Sequence, residues 1–147
     1  MKRFAILFTL FAAVLLAPGA HAQQSQDFGD YVVHYNAFNA DLLTPQVAQA
    51  YGIQRSPSRA VLNITVLRKV MDTPGTPVRA TVEASATNLT GQRREIEVRE
   101  IEESGAVYYI GEFPVHNLET YRFEVKVGVE GESEPLLVRF KQQFYTE

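Results

Sequence analysis

The strongest pattern in this chain is an alternation of apolar and polar residues with a period of two. It is strict over residues 78–88 and 121–129, where every second side chain as far as Ala86 and Val129 is apolar and those between are polar or small. Such alternation predicts strands with one buried face and one face in water. Looser alternation or a β-rich composition predicts five further strands, over residues 31–35, 59–70, 93–102, 106–113 and 136–145.

These predicted strands are short, and turns rather than long helices separate them. Short strands spaced in this way are typical of an antiparallel sandwich. The sequence therefore predicts an all-β protein, an immunoglobulin-like antiparallel β-sandwich of about seven strands. Tyr121 begins its strand at the place where such sandwiches often have a tyrosine bonded back to the preceding corner. The absence of cysteine and tryptophan excludes an antibody-type core.

Two of the predicted strands have an ambiguous pattern. Over residues 59–70, two different sets of apolar residues compete for the buried face, and both registers stay open. Over residues 93–102, Ile101 is out of phase with Ile96. A β-bulge near Glu100 would restore the alternation, so we expect one there.

One short helix is predicted near the N-terminus, over residues 44–51. Thr44 is a good N-cap, Pro45 suits the first helical position, and Gly52 can close the last turn. Two helical turns are not stable alone. We therefore expect this helix to dock on the sheet.

The first 22 residues have the pattern of a secretory signal peptide. Lys2 and Arg3 give a positive start, an almost wholly apolar run follows over residues 4–16, and Ala20-His-Ala22 offers small residues for cleavage after Ala22. The apolar run is about 13 residues long, whereas a membrane-spanning helix needs about 20. The segment is therefore predicted to be cleaved and not retained as an anchor.

The signal peptide predicts the compartment and the domain organisation. We expect residues 1–22 to be removed and residues 23–147 to form a single β-sandwich domain in the periplasm, with no stable membrane insertion. Loss of Lys2 and Arg3 leaves 12 of the 14 basic residues against 17 acidic ones, a net charge of −5. Such an acidic chain is a poor binder of nucleic acid. The chain contains no cysteine, which excludes disulfides and lipoprotein-type acylation.

Patterns that would indicate catalysis or metal binding are weak. After signal removal the only histidines are His34 and His116, and no Gly-x-Ser-x-Gly elbow occurs. Two histidines, no cysteine and the single Met71 do not supply a soft-metal cluster. The acidic clusters at turns lack the spacing of a calcium loop. We therefore predict no enzymatic activity, no metal site and no cofactor.

One segment, residues 36–63, has an unusual density of polar and aromatic residues. Long ordered connections in a compact domain are often functional. Arg55 offers a planar fork for a carboxylate or a carbonyl, and Tyr51 offers a rigid aromatic anchor. The candidate binding residues are Arg55, Tyr51, Ser56, Asn36 and Asn63. The structural alternative is that the segment covers a sheet edge or an open end of the sandwich, with Arg55 and Asn63 bonded to backbone groups.

Several stretches of the chain carry a family resemblance. They read His34-Tyr-Asn-Ala-Phe-Asn-Ala-Asp-Leu-Leu43, then Tyr51-Gly-Ile-Gln-Arg-Ser56 and Asn63-Ile-Thr-Val66. In them the chain resembles a family of exported proteobacterial proteins, domain of unknown function 4426, over essentially all of the chain after the signal peptide. The resemblance implies a periplasmic β-sandwich and no particular reaction, because the family has no assigned activity.

Together these observations predict a periplasmic binding or accessory module that is not an enzyme and whose partner is another envelope protein. Two alternatives stay open. A chaperone or assembly factor would offer a sheet edge to an extended partner, with Val32-Val33 and residues 136–138 as the candidate edges. A hydrolase with an unrecognised site would have a concave pocket with a perturbed carboxylate or histidine beside a nucleophile.

Overall fold

The computed structural model describes residues 24–147, which form two antiparallel sheets and one short helix. The predicted signal peptide and its cleavage site lie outside the described residues. A 3-10 turn, Ala40–Leu42, and the helix α1, Pro45–Tyr51, lie between the second and third strands. The strands are β1 Gln24–Asp27, β2 Tyr31–Asn39, β3 Arg59–Arg68, β4 Thr76–Pro77, β5 Ala80–Asn88, β6 Arg93–Ile96, β7 Val98–Glu103, β8 Ala106–Pro114, β9 Thr120–Val129 and β10 Leu136–Gln143.

The strands form two sheets that pack face to face. Sheet A has the order β1-β2-β3-β8-β7, with β4 also paired to β3, and sheet B has the order β10-β9-β5-β6. The prediction of an immunoglobulin-like antiparallel sandwich with one short helix is confirmed. The strand count exceeds the predicted seven because β1 and β4 are short additional strands and because the predicted strand over residues 93–102 is two strands.

The core between the sheets is rich in aromatic side chains. Phe113 of β8 and Phe123 of β9 are 1% and 2% exposed and pack edge to face, with ring centres 5.5 Å apart. Tyr121 and Phe144 lie with their ring centres 6.1 Å and 5.9 Å from that of Phe113. Aromatic pairs at such distances add to the stabilisation that buried area alone gives. The strict alternation of β9 thus supplies one wall of the main core.

The chain crosses from sheet B to sheet A between β6 and β7, at Glu97. The crossing lies directly on Gly111 of β8, where a Cβ atom would lie 2.6 Å from Ile96 Cγ2 and 2.8 Å from the Glu97 carbonyl oxygen. Beyond it, β7 pairs with β8 in unbroken register. The predicted bulge near Glu100 is therefore wrong, because the phase of the alternation changes where the chain changes sheets.

Helix α1 has the predicted boundaries and docks on the outer face of sheet A. The Thr44 hydroxyl accepts a hydrogen bond from the Val47 N–H at 3.3 Å, and Gly52 ends the helix in the left-handed region with a φ of 68°. Below the helix, Ala48 packs in a second apolar cluster with outward-facing residues of β3 and β8. This burial compensates for the low stability of an isolated two-turn helix.

Candidate binding surface

The segment predicted as a binding surface divides into the end of β2, a covering segment of residues 40–58, and the start of β3. In the covering segment, Ala40, Ala48 and Ile53 pack on Val61 of β3 and Ile110 of β8. Both strands lie inside sheet A, so the segment covers a sheet face. The expectation that this segment covers a sheet edge or an open end of the sandwich is therefore wrong.

Arg55 and Ser56 make contacts within the covering segment. The Arg55 guanidinium donates from Nε to the Leu43 carbonyl at 2.7 Å and from Nη2 to the Asp41 carbonyl at 3.2 Å. The Ser56 hydroxyl lies 3.0 Å from the Ser58 hydroxyl. Arg55 thus bonds backbone groups, as the structural alternative expected, and a contact of either residue with a partner stays a prediction.

Tyr51 joins the end of helix α1 to β7. Its hydroxyl donates to the Glu103 carboxylate, and Arg99 donates to its backbone carbonyl. The hydrogen bond to Glu103 raises the pKa of Tyr51, because the carboxylate is a good acceptor only while the phenol keeps its proton. Tyr51 therefore fixes the covering segment to the sheet, and its role as a partner anchor stays a prediction.

Asn36 and Asn63 lie directly opposite each other on β2 and β3. With His34 they occupy the outer face of sheet A, because alternate residues of a strand share a face. Asn63 Oδ1 and His34 Nδ1 are buried and have no hydrogen-bond partner among the described residues. The structure thus brings two of the five candidate residues together, and no hydrogen bond in the described part of the chain joins them to the three in the covering segment.

The two candidate sheet edges have different outcomes. The edge at Val32-Val33 is wrong, because β1 pairs along this part of β2, with Gln26 opposite Val33 and Asp27 opposite Val32. Residues 136–138 do lie in an edge strand, because among the described strands β10 pairs only with β9. At eight residues, β10 is the longest edge strand of the two described sheets.

Hydrogen bonds beside β10 show which of its backbone groups face the free edge. Just after the strand, the Phe144 N–H donates to the Glu119 carbonyl at 3.0 Å, and the Phe144 carbonyl accepts from the Leu118 N–H at 2.8 Å. The backbone of Phe144 therefore faces β9, and this direction alternates along an antiparallel strand. The backbone groups that face the free edge belong to alternate residues: Leu137, Arg139, Lys141 and Gln143.

A groove of about 730 Å³ lies between the last residues of β10 and those of β2. The strand β1 pairs with β2 only as far as Tyr35, so residues 36–39 have no described strand on that side. The side chain of Gln142 donates to the carbonyl of Ala37 at 2.6 Å, which links the two sheet edges. Of the five candidate residues, Asn36 lines this groove.

The β10 residues that line the groove, Lys141, Gln142 and Gln143, are absent from the predicted site. One signal for them exists in the sequence. Gln142 stands in phase with the inward-facing Val138 and Phe140 of the same strand. A polar residue at an apolar position of an alternating strand indicates either a buried hydrogen bond or a site, and Gln142 makes the bond to Ala37.

A second polar cavity, of about 310 Å³, lies beside Tyr121 and His116. The Glu119 carboxylate accepts hydrogen bonds from Asn88 Nδ2 at 2.7 Å and from the Tyr121 hydroxyl at 2.8 Å. Burial, together with the bond to Glu119, raises the pKa of Tyr121 to about 12. The predicted bond from Tyr121 back to the preceding corner is confirmed, with Glu119 as the acceptor.

Two further properties concern residues 24–147 alone. Within this range, no group of three or more His, Cys, Asp or Glu side chains is placed so that it could hold a metal ion. The helices described there are too short or too polar to cross a membrane.

The family model named DUF4426, a domain of unknown function, matches residues 25–147. The chain belongs to the DUF4426 family. A crystal structure of a DUF4426 family protein from Pseudomonas aeruginosa PAO1 is similar to this DUF4426 domain, with 38% sequence identity and a TM-score of 0.74. The match covers 86% of this chain and 97% of that one. The family resemblance in the sequence is thus confirmed.

Two structures of FetP from uropathogenic E. coli strain F11 share the fold of the DUF4426 domain. The as-isolated form, expressed in the periplasm of E. coli, has 12% identity and a TM-score of 0.60, over 84% of this chain and 94% of that one. A copper-bound variant has 12% identity and a TM-score of 0.56, over 84% and 90%. No curated protein matches the chain.

Proposed function

We propose that this DUF4426 domain is a non-enzymatic binding module of the periplasm, which holds an extended segment of another envelope protein along the free edge of β10. In strand addition, the main chain of the partner supplies hydrogen bonds and its alternate side chains meet neighbouring pockets. The observation that carries the proposal is the free edge of β10 beside the groove that it forms with the end of β2.

The surroundings of β10 support this mode of binding. Four of its eight residues present backbone N–H and C=O groups to the free edge. On its inner side, Phe140 stacks on Tyr35 of sheet A with ring centres 4.5 Å apart, and both rings are only half-buried. An added strand would complete the hydrogen bonds and cover the exposed parts of these two rings, which favours association.

One of the edge strands of sheet A, β7, is less available. Its residues Arg99 and Glu103 bind the backbone and the hydroxyl of Tyr51, and the guanidinium of Arg79 binds Glu102 at 2.6 Å. Charged and bonded side chains of this kind are one way in which proteins block a sheet edge. On β10, side-chain hydrogen bonds are made by Arg139, Gln142 and Gln143. The first three residues of the strand, 136–138, are apolar, which supports this part of β10 as the docking edge.

The proposal also includes a periplasmic location and the absence of a cofactor. The signal-peptide pattern of residues 1–22 and the periplasmic expression of FetP, a protein of the same fold, support a periplasmic location. Residues 24–147 hold no cluster of three His, Cys, Asp or Glu side chains that could bind a metal ion, so we do not extend the copper of the FetP variant to this chain. The proposed module includes no metal, cofactor or catalytic step.

Selection from a library of displayed random peptides tests strand addition, with the exported protein purified from the periplasm as bait. The critical pair of variants is Arg139→Pro and Arg139→Ala. Proline at this position removes an N–H that faces the free edge and breaks no bond to β9, and proline is tolerated at such edge positions. Alanine removes the same charge and keeps the N–H.

Selected peptides are expected to bind the wild-type protein and the Arg139→Ala variant, and to bind the Arg139→Pro variant at least tenfold more weakly. Leu137→Pro and Leu137→Ala form a second pair for the case in which Arg139→Pro does not fold. Failure to select any peptide would contradict the proposal. Equal binding of the selected peptides to a folded proline variant would contradict it as well.

A further inference from the structure

A row of three cations crosses the outer face of sheet B. The strand register places Arg93 of β6 opposite Thr87 of β5, Thr87 opposite Arg122 of β9, and Arg122 opposite Lys141 of β10. Neighbouring strands lie about 4.8 Å apart, so the three charged side chains share one line. All three are exposed. We call Arg93, Arg122 and Lys141 the cation row.

The cation row lowers the stability of the protein, and the fold itself does not require these charges. Like charges directly opposite each other on neighbouring strands are destabilising, and this is the arrangement of Arg122 and Lys141. Arg93 has a partner in Glu95 at 3.0 Å, whereas neither Arg122 nor Lys141 forms an ion pair among the described residues. A lysine on an edge strand protects against self-pairing, but Arg122 lies on the interior strand β9, where that explanation does not apply.

The cation row ends with Lys141 on the edge strand β10, and a further cation, Arg139, lies beside it. Arg139 stands two residues before Lys141 and shares its face, and its guanidinium lies 3.4 Å from Glu124. Leu137 stands two residues earlier and is half-buried. A groove of about 490 Å³ lies along Arg139, Lys141 and the cation row, with Thr87 and Ser85 among its lining residues. Along the outer face of β10, one apolar residue, Leu137, is thus followed by two cationic residues, Arg139 and Lys141.

We infer that the segment held along β10 is acidic, with carboxylate side chains at two alternate positions opposite Arg139 and Lys141. This inference rests on the proposed strand addition. In a strand pair, side chains directly opposite each other have Cβ atoms about 5 Å apart, and opposite charges at that spacing are favourable. The same pairing places an apolar residue of the partner opposite Leu137.

Charge also decides between a different protein and a second copy of this chain as the occupant. Two copies joined antiparallel along β10 would bring Arg139 and Lys141 of one copy against the same cationic stretch of the other. Like charges across strands oppose that dimer. An acidic partner strand would instead place negative charges opposite these cations. The whole-chain net charge of −3 does not attract acidic proteins in general. Recognition of an acidic segment would therefore be local to this face.

The test uses the peptides selected on the purified protein and two charge-reversal variants, Lys141→Glu and Lys126→Glu. Lys126 lies on the same outer face but on the interior strand β9, opposite Glu83. It is the matched control, since both variants change the net charge equally. The affinity of each selected peptide is measured with its acidic residues intact, replaced by glutamine, and replaced by lysine, at low and at high salt.

Selected peptides are expected to carry two acidic residues spaced by one residue. Replacing both with glutamine is expected to weaken binding about tenfold, because one exposed ion pair contributes up to about fivefold. High salt should reduce this difference. Lys141→Glu should reverse the preference in favour of the lysine peptide, and Lys126→Glu should leave the preference for the acidic peptide in place.

The possible failures are distinguishable. If peptides bind along β10 but their acidic, glutamine and lysine forms bind equally, the acidic inference is overturned and strand addition stands. If no peptide is selected, strand addition itself is overturned. A dimer that forms through β10, or binding of phosphatidylglycerol vesicles that is lost in Lys141→Glu while peptides show no charge preference, would assign the cation row to a second copy or to a membrane surface and overturn the inference.

Discussion

Substituting Gly111 by alanine should destabilise the protein, because the crossing between the sheets lies directly on this glycine. The added Cβ would lie 2.6 Å from Ile96 Cγ2, 2.8 Å from the Glu97 carbonyl oxygen and 3.0 Å from Val98 Cγ1. The carbonyl belongs to the backbone, so relief requires movement of the crossing. Overpacking of this kind costs about 1–3 kcal/mol, whereas the lower entropy of the unfolded chain returns only about 0.4–1 kcal/mol. We expect a net loss of about 1–2 kcal/mol.

Urea unfolding of Gly111→Ala and Gly128→Ala measures this effect with an internal control. Gly128 also lies inside a strand, but a Cβ there would have its nearest contact at 3.7 Å, on the Thr81 carbonyl oxygen. Gly128→Ala should therefore leave the free energy of unfolding unchanged or raise it by up to about 1 kcal/mol. An unfolding midpoint for Gly111→Ala at or above that of the wild type would refute the close packing of the crossing on β8.

Three further predictions follow from single side chains. Arg55→Ala should lower the free energy of unfolding by about 1 kcal/mol, since its two bonds to carbonyls are exposed; an unchanged thermal midpoint would contradict this. The pKa of Tyr121 is raised to about 12 in the folded state, so its contribution is complete below pH 10 and is lost as the pH rises from 10 to 12. Wild-type stability should therefore fall by about 2 kcal/mol more than that of Tyr121→Phe over this range, and parallel pH profiles would refute the assignment. Calorimetric titration with copper should give only weak binding, and a tight stoichiometric site lost in His34→Ala would overturn the metal-free account.

The β-sandwich could be predicted from the sequence because one face of most of its strands is exposed to solvent. In β9 the alternation is strict, since its outward-facing Arg122, Glu124 and Lys126 are exposed. The register of β3 stayed open for a physical reason. Leu62 and Ile64 are buried in the main core, while Val61, which points to the opposite face of the strand, is buried below the covering segment. Where a strand is buried on both faces, apolar residues occur on each face and do not mark a single inward side.

The docking place of the covering segment and the candidate groove could not be predicted from local patterns. The helix start at Thr44 and its end at Gly52 are encoded by capping chemistry and were predicted correctly. Which sheet a strand joins depends instead on contacts between distant residues, such as that of Ile96 with Gly111. For the same reason, the sequence does not show that Arg122 and Lys141 lie side by side, because nineteen positions separate them along the chain.

Amide hydrogen exchange along β10, measured by NMR with and without a selected peptide, tests strand addition most directly. The N–H groups of Leu137, Arg139 and Lys141 face the free edge, whereas those of Val138 and Phe140 face β9. Bound peptide should slow exchange at the first three residues by at least tenfold and change the other two much less, because these are already bonded in the sheet. Equal protection of all five residues, or protection confined to residues outside β10, would contradict strand addition at this edge.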